Sequence, residues 1–299
     1  MLSKYLDTLQ KQGYSTHSLR AYTREIERYL HFLGKDAAAA THKDARRYVI
    51  YLKKSGLQNR SVKRALSSVR GYYSYLERHN CLDSGNPFHY LPPMRTELRL
   101  PSYLFYNELE RMMAACSDTA LGIRDRALME MLYSTGLRAS ELTALNTDAF
   151  SRSRCALIRG KGGRERYVFL TAKAQEALAA YRACRAALLA AGGSKAEPTE
   201  ALFLNHRGGR LSERGLYKAV KRYEHCLSYG KTIGVHIFRH TFATHMLNEN
   251  ADLRYVQEFL GHASLSTTQI YTHVGIERLK NVYRQAHPHA GRHKKSTGD

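Results

Sequence analysis

Four of the chain's six prolines fall in one stretch, NPFHYLPPMRTELRLP, between Asn86 and Pro101. Proline has no amide hydrogen and a fixed φ, so no helix runs through such a stretch. The residue before each proline is pushed toward extended backbone as well. Whatever lies on either side must fold as a separate block, and 299 residues leave room for two cores. We read residues 1–86 as one block, 87–103 as a connector, 104–290 as a second block and 291–299, GRHKKSTGD, as a polar tail.

The first block carries the periodicity of four amphipathic helices. Leu2, Tyr5, Leu6 and Leu9 mark the first. Leu19, Tyr22, Ile26, Tyr29, Leu30 and Leu33 follow Ser15 and Thr16 at helical spacing. Thr41 is placed to cap a third helix with Ala45, Tyr48, Val49 and Leu52, stopped by Gly56. Ser61 opens a fourth, with Val62, Leu66, Val69, Tyr73 and Leu76 on one face and Arg60, Lys63, Arg64 and Arg70 around it. One such basic face is ordinarily just solvated. The whole chain, however, has a formal charge of +21, from 47 Lys and Arg against 26 Asp and Glu. That excess points to a polyanion as partner, nucleic acid above all. No apolar run approaches the roughly 20 residues of a membrane span, and the N-terminus has no signal-like apolar core. Five scattered cysteines without a CxxC pair fit a reducing, cytoplasmic setting and no structural zinc site.

The second block is mainly helical, with one exception. CALIRGKGGRERYVFL, residues 155–170, contains two strand-like runs around Gly160-Lys161-Gly162-Gly163, the signal of a β-hairpin. It is not a phosphate-cradling P-loop, because no Ser or Thr follows the lysine and the first glycine is missing. Helical patterns resume over 173–190 and, after a polar loop at 192–200, over about 212–226, 237–248 and 253–260. The fold class is therefore mainly α, a helical bundle followed by a mainly helical domain with a small antiparallel sheet.

HIFRHTFATH, residues 236–245, crowds three histidines and an arginine into ten residues. On a helix His236, Arg239 and His240 share a face, with Phe238, Phe242, Met246 and Leu247 at spacings that suit a core. A zinc site lacks its carboxylate or cysteine partner here, and HExxH is absent. Phosphate suits both residue types: arginine offers a bidentate fork, and histidine exchanges a proton near neutrality. Taken alone, the stretch is equally compatible with capped or surface histidines. Other elements accompany it in order. Arg138 and Glu141 stand three apart on a helix in TGLRASEL, a spacing that alone is usually a surface ion pair, Lys161 lies in the hairpin, and Gly261-His262 follows the helix from Leu253. Tyr271 comes nine residues later.

This ordered set resembles the tyrosine recombinases, most closely the bacterial Xer recombinases, of XerC-like or XerD-like type. TGLRASEL, RGKGGRERYVFL, HIFRHTFATHML, LRYVQEFLGHASLSTTQIYTHV and VYRQAHPHA carry the resemblance, which extends over nearly the whole chain. It implies an N-terminal core-binding domain of SAM-like helical type that grips one face of a duplex, while the catalytic domain grips the other. Tyr271 is then the nucleophile, Arg138 and Arg239 clamp the scissile phosphate, and Lys161 protonates the leaving 5′ oxygen. His236 moves a proton at the tyrosine side, His262 hydrogen-bonds the phosphate, and Glu141 buttresses the site. The implied reaction needs no cofactor and no metal. The implied assembly is a tetramer on two double-stranded DNA sites, of one chain or with a paralogous Xer partner, resolving chromosome dimers at cell division under a septal DNA translocase. Ile276, Leu279, Val282 and Tyr283 predict a further helix past the nucleophile. Its spacing suits its own core or a neighbour's, and the family passes this helix to the neighbouring subunit. Integrases of phages and transposons and type IB topoisomerases share the chemistry. A silent DNA-binding protein would need a broken site, and every expected residue type is in place.

Overall fold

The computed structural model describes residues 1–82, 85–92, 103–151, 153–160, 165–191, 199–228, 231–261 and 273–290. The chain divides into two compact units, Met1–Arg99 and Leu100–Asp299.

The first unit holds α1 (Leu2–Lys11), α2 (Thr16–Leu33), α3 (His42–Lys54) and α4 (Asn59–Arg78). Local signals set their ends. Ser15 Oγ accepts from the Ser18 amide and starts α2, which Gly34 ends in the left-handed region at φ 65°. Thr41 and Asp44 cap each other's amides at the start of α3. The start of α4 differs from expectation: it begins at Asn59, two residues before Ser61, with no side-chain cap. A start without a polar cap leaves no mark in the sequence. The apolar faces meet in a core rich in tyrosine. Tyr29 packs edge-on against Tyr48, Tyr73 and Phe88, with ring centroids 4.8, 5.7 and 5.2 Å away. The buried Tyr73 hydroxyl is satisfied by Tyr29 Oη and the Ala37 carbonyl. Phe88 and Leu91, inside the proline-rich stretch, belong to this core.

The second unit is built around α6 (Ala120–Thr135), whose residues from Ala127 to Thr135 are all buried. A helix hidden on every side shows little amphipathic period. It packs on α8 (Ala172–Ala190), α9 (Glu213–Lys221), α10 (His236–Asn248) and α5 (Tyr106–Ala114). The short α7 (Ala139–Ala144) follows it, and α11 (Leu253–Leu260) lies against α10. The hairpin is present: β1 (Cys155–Arg159) pairs antiparallel with β2 (Glu165–Phe169), Leu157 opposite Tyr167. Among the described residues these two strands form the only sheet. A 3-10 turn, Glu224–Cys226, follows α9. In α10, Phe238, Phe242 and Met246 face the core at steps of four residues. Leu247 does not: it is 40% exposed, because one residue beyond Met246 turns it about 100° away.

The final helix, α12 (His273–Ala286), packs on its own unit. Leu279, Tyr283 and Ala286 are buried with Phe169, Phe242 and Phe259. Within the single chain its apolar face is covered by the second unit's own residues.

Candidate active site

Arg138 and Arg239 arrive on different elements and are held at one place. α6 ends at Gly136 with φ 60°, so the chain turns sharply and Arg138 becomes the N-cap of α7. Arg138 thus precedes the helix that carries Glu141, where the sequence suggested that both lay on it. A side chain at Gly136 would meet Leu260 Cδ2 at 3.0 Å and Phe242 Cδ1 at 3.1 Å. Only glycine suits both the backbone and the space. Arg239, in the second turn of α10, donates from Nη1 to the Gly136 carbonyl at 2.7 Å and from Nη2 to the Leu260 carbonyl. It thereby ties the end of α6 to the end of α11.

Glu141 is the hub. Its side chain is 5% exposed, which makes RxxE here a buried network and not a surface ion pair. Arg138 donates to it twice, from its amide at 2.8 Å and from Nη1 at 2.8 Å. Arg166 grips the same carboxylate with two parallel bonds, Nη1 at 2.9 Å and Nη2 at 2.6 Å. Burial alone would raise the Glu141 pKa, but the bonds from Arg166 and from the Arg138 amide outweigh it and hold the carboxyl at about 2. Arg239 moves the other way. Burial, then the cations Arg138 and Arg166, lower its guanidinium to about 10, with Glu141 opposing. Three guanidiniums therefore surround one carboxylate, leaving a net positive centre. Arg138 keeps 31% of its side chain exposed, so part of its fork faces outward.

His236 opens α10 and is exposed. The positive end of the helix dipole lies at this point, where an anion is stabilised. Lys161, His262 and Tyr271 lie outside the described residues. Gly261, just before His262, ends α11 at φ 65°. Among the described residues no three His, Cys, Asp or Glu side chains gather as metal ligands, and no helix is long and apolar enough to cross a membrane.

Arg166 belongs to none of the site positions expected from the sequence. A signal was present: Arg166 and Val168 alternate on one face of β2, Leu170 continues the alternation just past its end, and all three are buried. An arginine in register with two apolar core residues needs a buried acidic partner.

A mainly helical domain with a hairpin and a cluster of arginines around a buried carboxylate suits an enzyme that handles a phosphodiester. Comparison with known proteins is specific. Residues 102–278 match the phage integrase family, and residues 2–80 match its N-terminal SAM-like domain. Tyrosine recombinase XerC of Pelotomaculum thermopropionicum is 45% identical over 252 residues, 83% of this chain and 82% of that one. Its counterpart from Listeria innocua is 38% identical over 296 residues, 96% of this chain and 97% of its own. Among solved structures, the XerH site-specific recombinase bound to palindromic difH substrate in a post-cleavage complex has a TM-score of 0.66 at 26% identity, covering 89% of this chain and 79% of that one. A lambda integrase dimer on a COC′ core site shares the fold, with a TM-score of 0.67 at 19% identity over 88% of this chain and 94% of that one. The chain belongs to the phage integrase family, the tyrosine recombinases. It is a site-specific recombinase that cuts and rejoins DNA.

Proposed function

We propose that Tyr271 attacks the scissile phosphate while Arg138 and Arg239 clamp its non-bridging oxygens. The observation that carries this reading is the convergence of those two arginines: Arg239 grips the carbonyl of Gly136, two residues before Arg138, and Arg138 is held by Glu141. Attack on a phosphodiester gathers charge on the equatorial oxygens, and fixed guanidiniums stabilise it without reorganising. A phenol with an ordinary pKa of about 10 needs a base or a cationic field, and His236 with the start of α10 offers both. Lys161 is the acid for the leaving 5′ oxygen, and His262 adds a hydrogen bond to the phosphate. One phosphodiester becomes a 3′-phosphotyrosine and a free 5′ hydroxyl. Rejoining reverses the exchange, so the bond energy is conserved and neither ATP nor a metal is required.

The substrate in this reading is a double-stranded recombination site, with residues 1–86 as the core-binding domain and 104–290 as the catalytic domain. The enzyme acts as a tetramer, of one chain or with a paralogous Xer recombinase, and resolves chromosome dimers in the cytoplasm under a septal DNA translocase. The Xer names of the relatives and their length match support this assignment.

The test is a nicked suicide duplex incubated with the protein in EDTA, denatured and run on a gel. A protein–DNA adduct is expected, with the modified peptide containing Tyr271 by mass spectrometry. An adduct that persists in Tyr271→Phe, maps elsewhere or requires magnesium overturns the mechanism.

A further inference from the structure

Arg166 is used up inside the protein. Besides its two bonds to Glu141, Nε donates to the Phe259 carbonyl at 2.9 Å. Its side chain is 6% exposed, so it presents no edge to DNA. Two consequences follow from that placement.

The first is charge. Glu141 faces Arg138 and Arg166 together. Arg166 cancels the carboxylate, and Arg138 and Arg239 keep two positive charges between them. With Arg166 gone, Glu141 would draw on Arg138 alone and cancel the positive charge that Arg138 brings to the phosphate clamp.

The second is geometry. The carbonyls of Phe259 and Leu260, consecutive in the last turn of α11, are taken by Arg166 and Arg239 respectively. The backbone then passes close by, since a Cβ at Gly261 would lie 3.1 Å from Arg166 Cδ. One side chain on β2 therefore holds both the clamp's carboxylate and the helix end that leads into Gly261-His262.

We infer that Arg166 is a positioning residue of strand cleavage: held in place by the end of α11, it neutralises Glu141 so that Arg138 acts with its full charge. This rests on the reading of Arg138 and Arg239 as the clamp. A purely structural ion pair would hold the fold and leave the chemistry of the phosphate untouched.

The two are separated by changing the phosphate. In a methylphosphonate a methyl group replaces one non-bridging oxygen, so the scissile group is neutral and demands less of the clamp. Single-turnover cleavage of a suicide duplex is measured with either group at the scissile position, each protein held well below its melting temperature. Arg166→Gln is expected to cleave the phosphodiester roughly 10–100-fold more slowly than the unaltered protein, and the methylphosphonate within about 3-fold of it. Equal slowing on both substrates overturns the inference. If Arg166→Gln does not fold, the pair Glu141→Gln with Arg166→Gln removes both charges together. It is expected within about 10-fold of the unaltered protein on phosphodiester, and a folded pair slower than about 100-fold overturns the inference. Arg138→Ala, run alongside, isolates the underlying reading. Equal loss on both substrates there sinks the clamp itself. A loss confined to the phosphodiester upholds the clamp, and the Arg166 substitutions then decide the inference by themselves.

Discussion

The Tyr283 hydroxyl donates to the Ser134 carbonyl at 2.9 Å, and Ser134 lies two residues before the glycine that Arg239 grips. The last helix of the chain is thereby bonded to the same turn that delivers Arg138. Beyond it, His287 Nε2 donates to the Tyr133 carbonyl at 3.3 Å, while its Nδ1 accepts from the His289 amide at 3.2 Å. The neutral tautomer is built into the docked state.

That contact is expected to weaken in mild acid. Burial, opposed by the bond to Tyr133 and reinforced by His289 and His245, depresses His287 to about 3 from its ordinary 6.5. Between those values the released segment takes up a proton that the docked segment refuses, so docking is strongest above pH 6.5 and is lost as pH falls. One unit below 6.5 the loss is ~1.4 kcal/mol, a tenfold drop in amide protection. Hydrogen exchange of residues 279–287 from pH 7 to 5 measures it, after correction for the intrinsic rate. A His287→Gln protein that keeps the same slope would exclude His287 as its origin.

Gly136→Ala is expected to cost roughly 1–3 kcal/mol, from left-handed backbone strain and the contacts a methyl group would make with Leu260 and Phe242. Chemical denaturation gives the loss. Because Arg239 is bonded to the Gly136 carbonyl, cleavage is expected to fall further than DNA binding does. A variant as stable as its parent contradicts the steric account.

Lys161→Ala is expected to bind DNA normally and lose at least ~100-fold in cleavage, the usual scale for a general acid. A 5′-bridging sulfur leaves without a proton, so a phosphorothiolate duplex is expected to restore cleavage. Failure of that substrate to rescue the variant would move the acid to another residue.

DNA affinity is expected to fall by about three to five decades between 50 and 200 mM salt if roughly 6–10 phosphates are neutralised. The formal charge of +21 supplies the cations. Fluorescence anisotropy on a short duplex reads the slope directly, and a flat one is incompatible with a clamp built on phosphates.

Much of this protein is decided within a few residues of chain and is legible there. Helix caps such as Ser15 and Thr41, the hairpin signal around Gly160-Lys161-Gly162-Gly163 and the proline-rich stretch are local patterns of residue type and spacing, and the order of Arg138, Lys161, Arg239, His262 and Tyr271 is read from the sequence as a series of short segments. Other features depend on what another part of the chain brings alongside. Leu247 sits in an apolar-looking helix yet faces outward, because the core ends one position short of it. The spacing of α12 says only that one face is apolar, and the positions of Phe169, Phe242 and Phe259 show what covers that face within the chain. Arg166 looked like one more cation of a hairpin. It is a buried partner of Glu141 because the first turn of α7 and the end of α11, 25 and 93 residues away in sequence, converge on its guanidinium. Spacing within a segment sets local conformation and chemical type. Which side chain meets which carboxylate is fixed by packing, since burying a charge is tolerable only where the fold supplies its counter-charge.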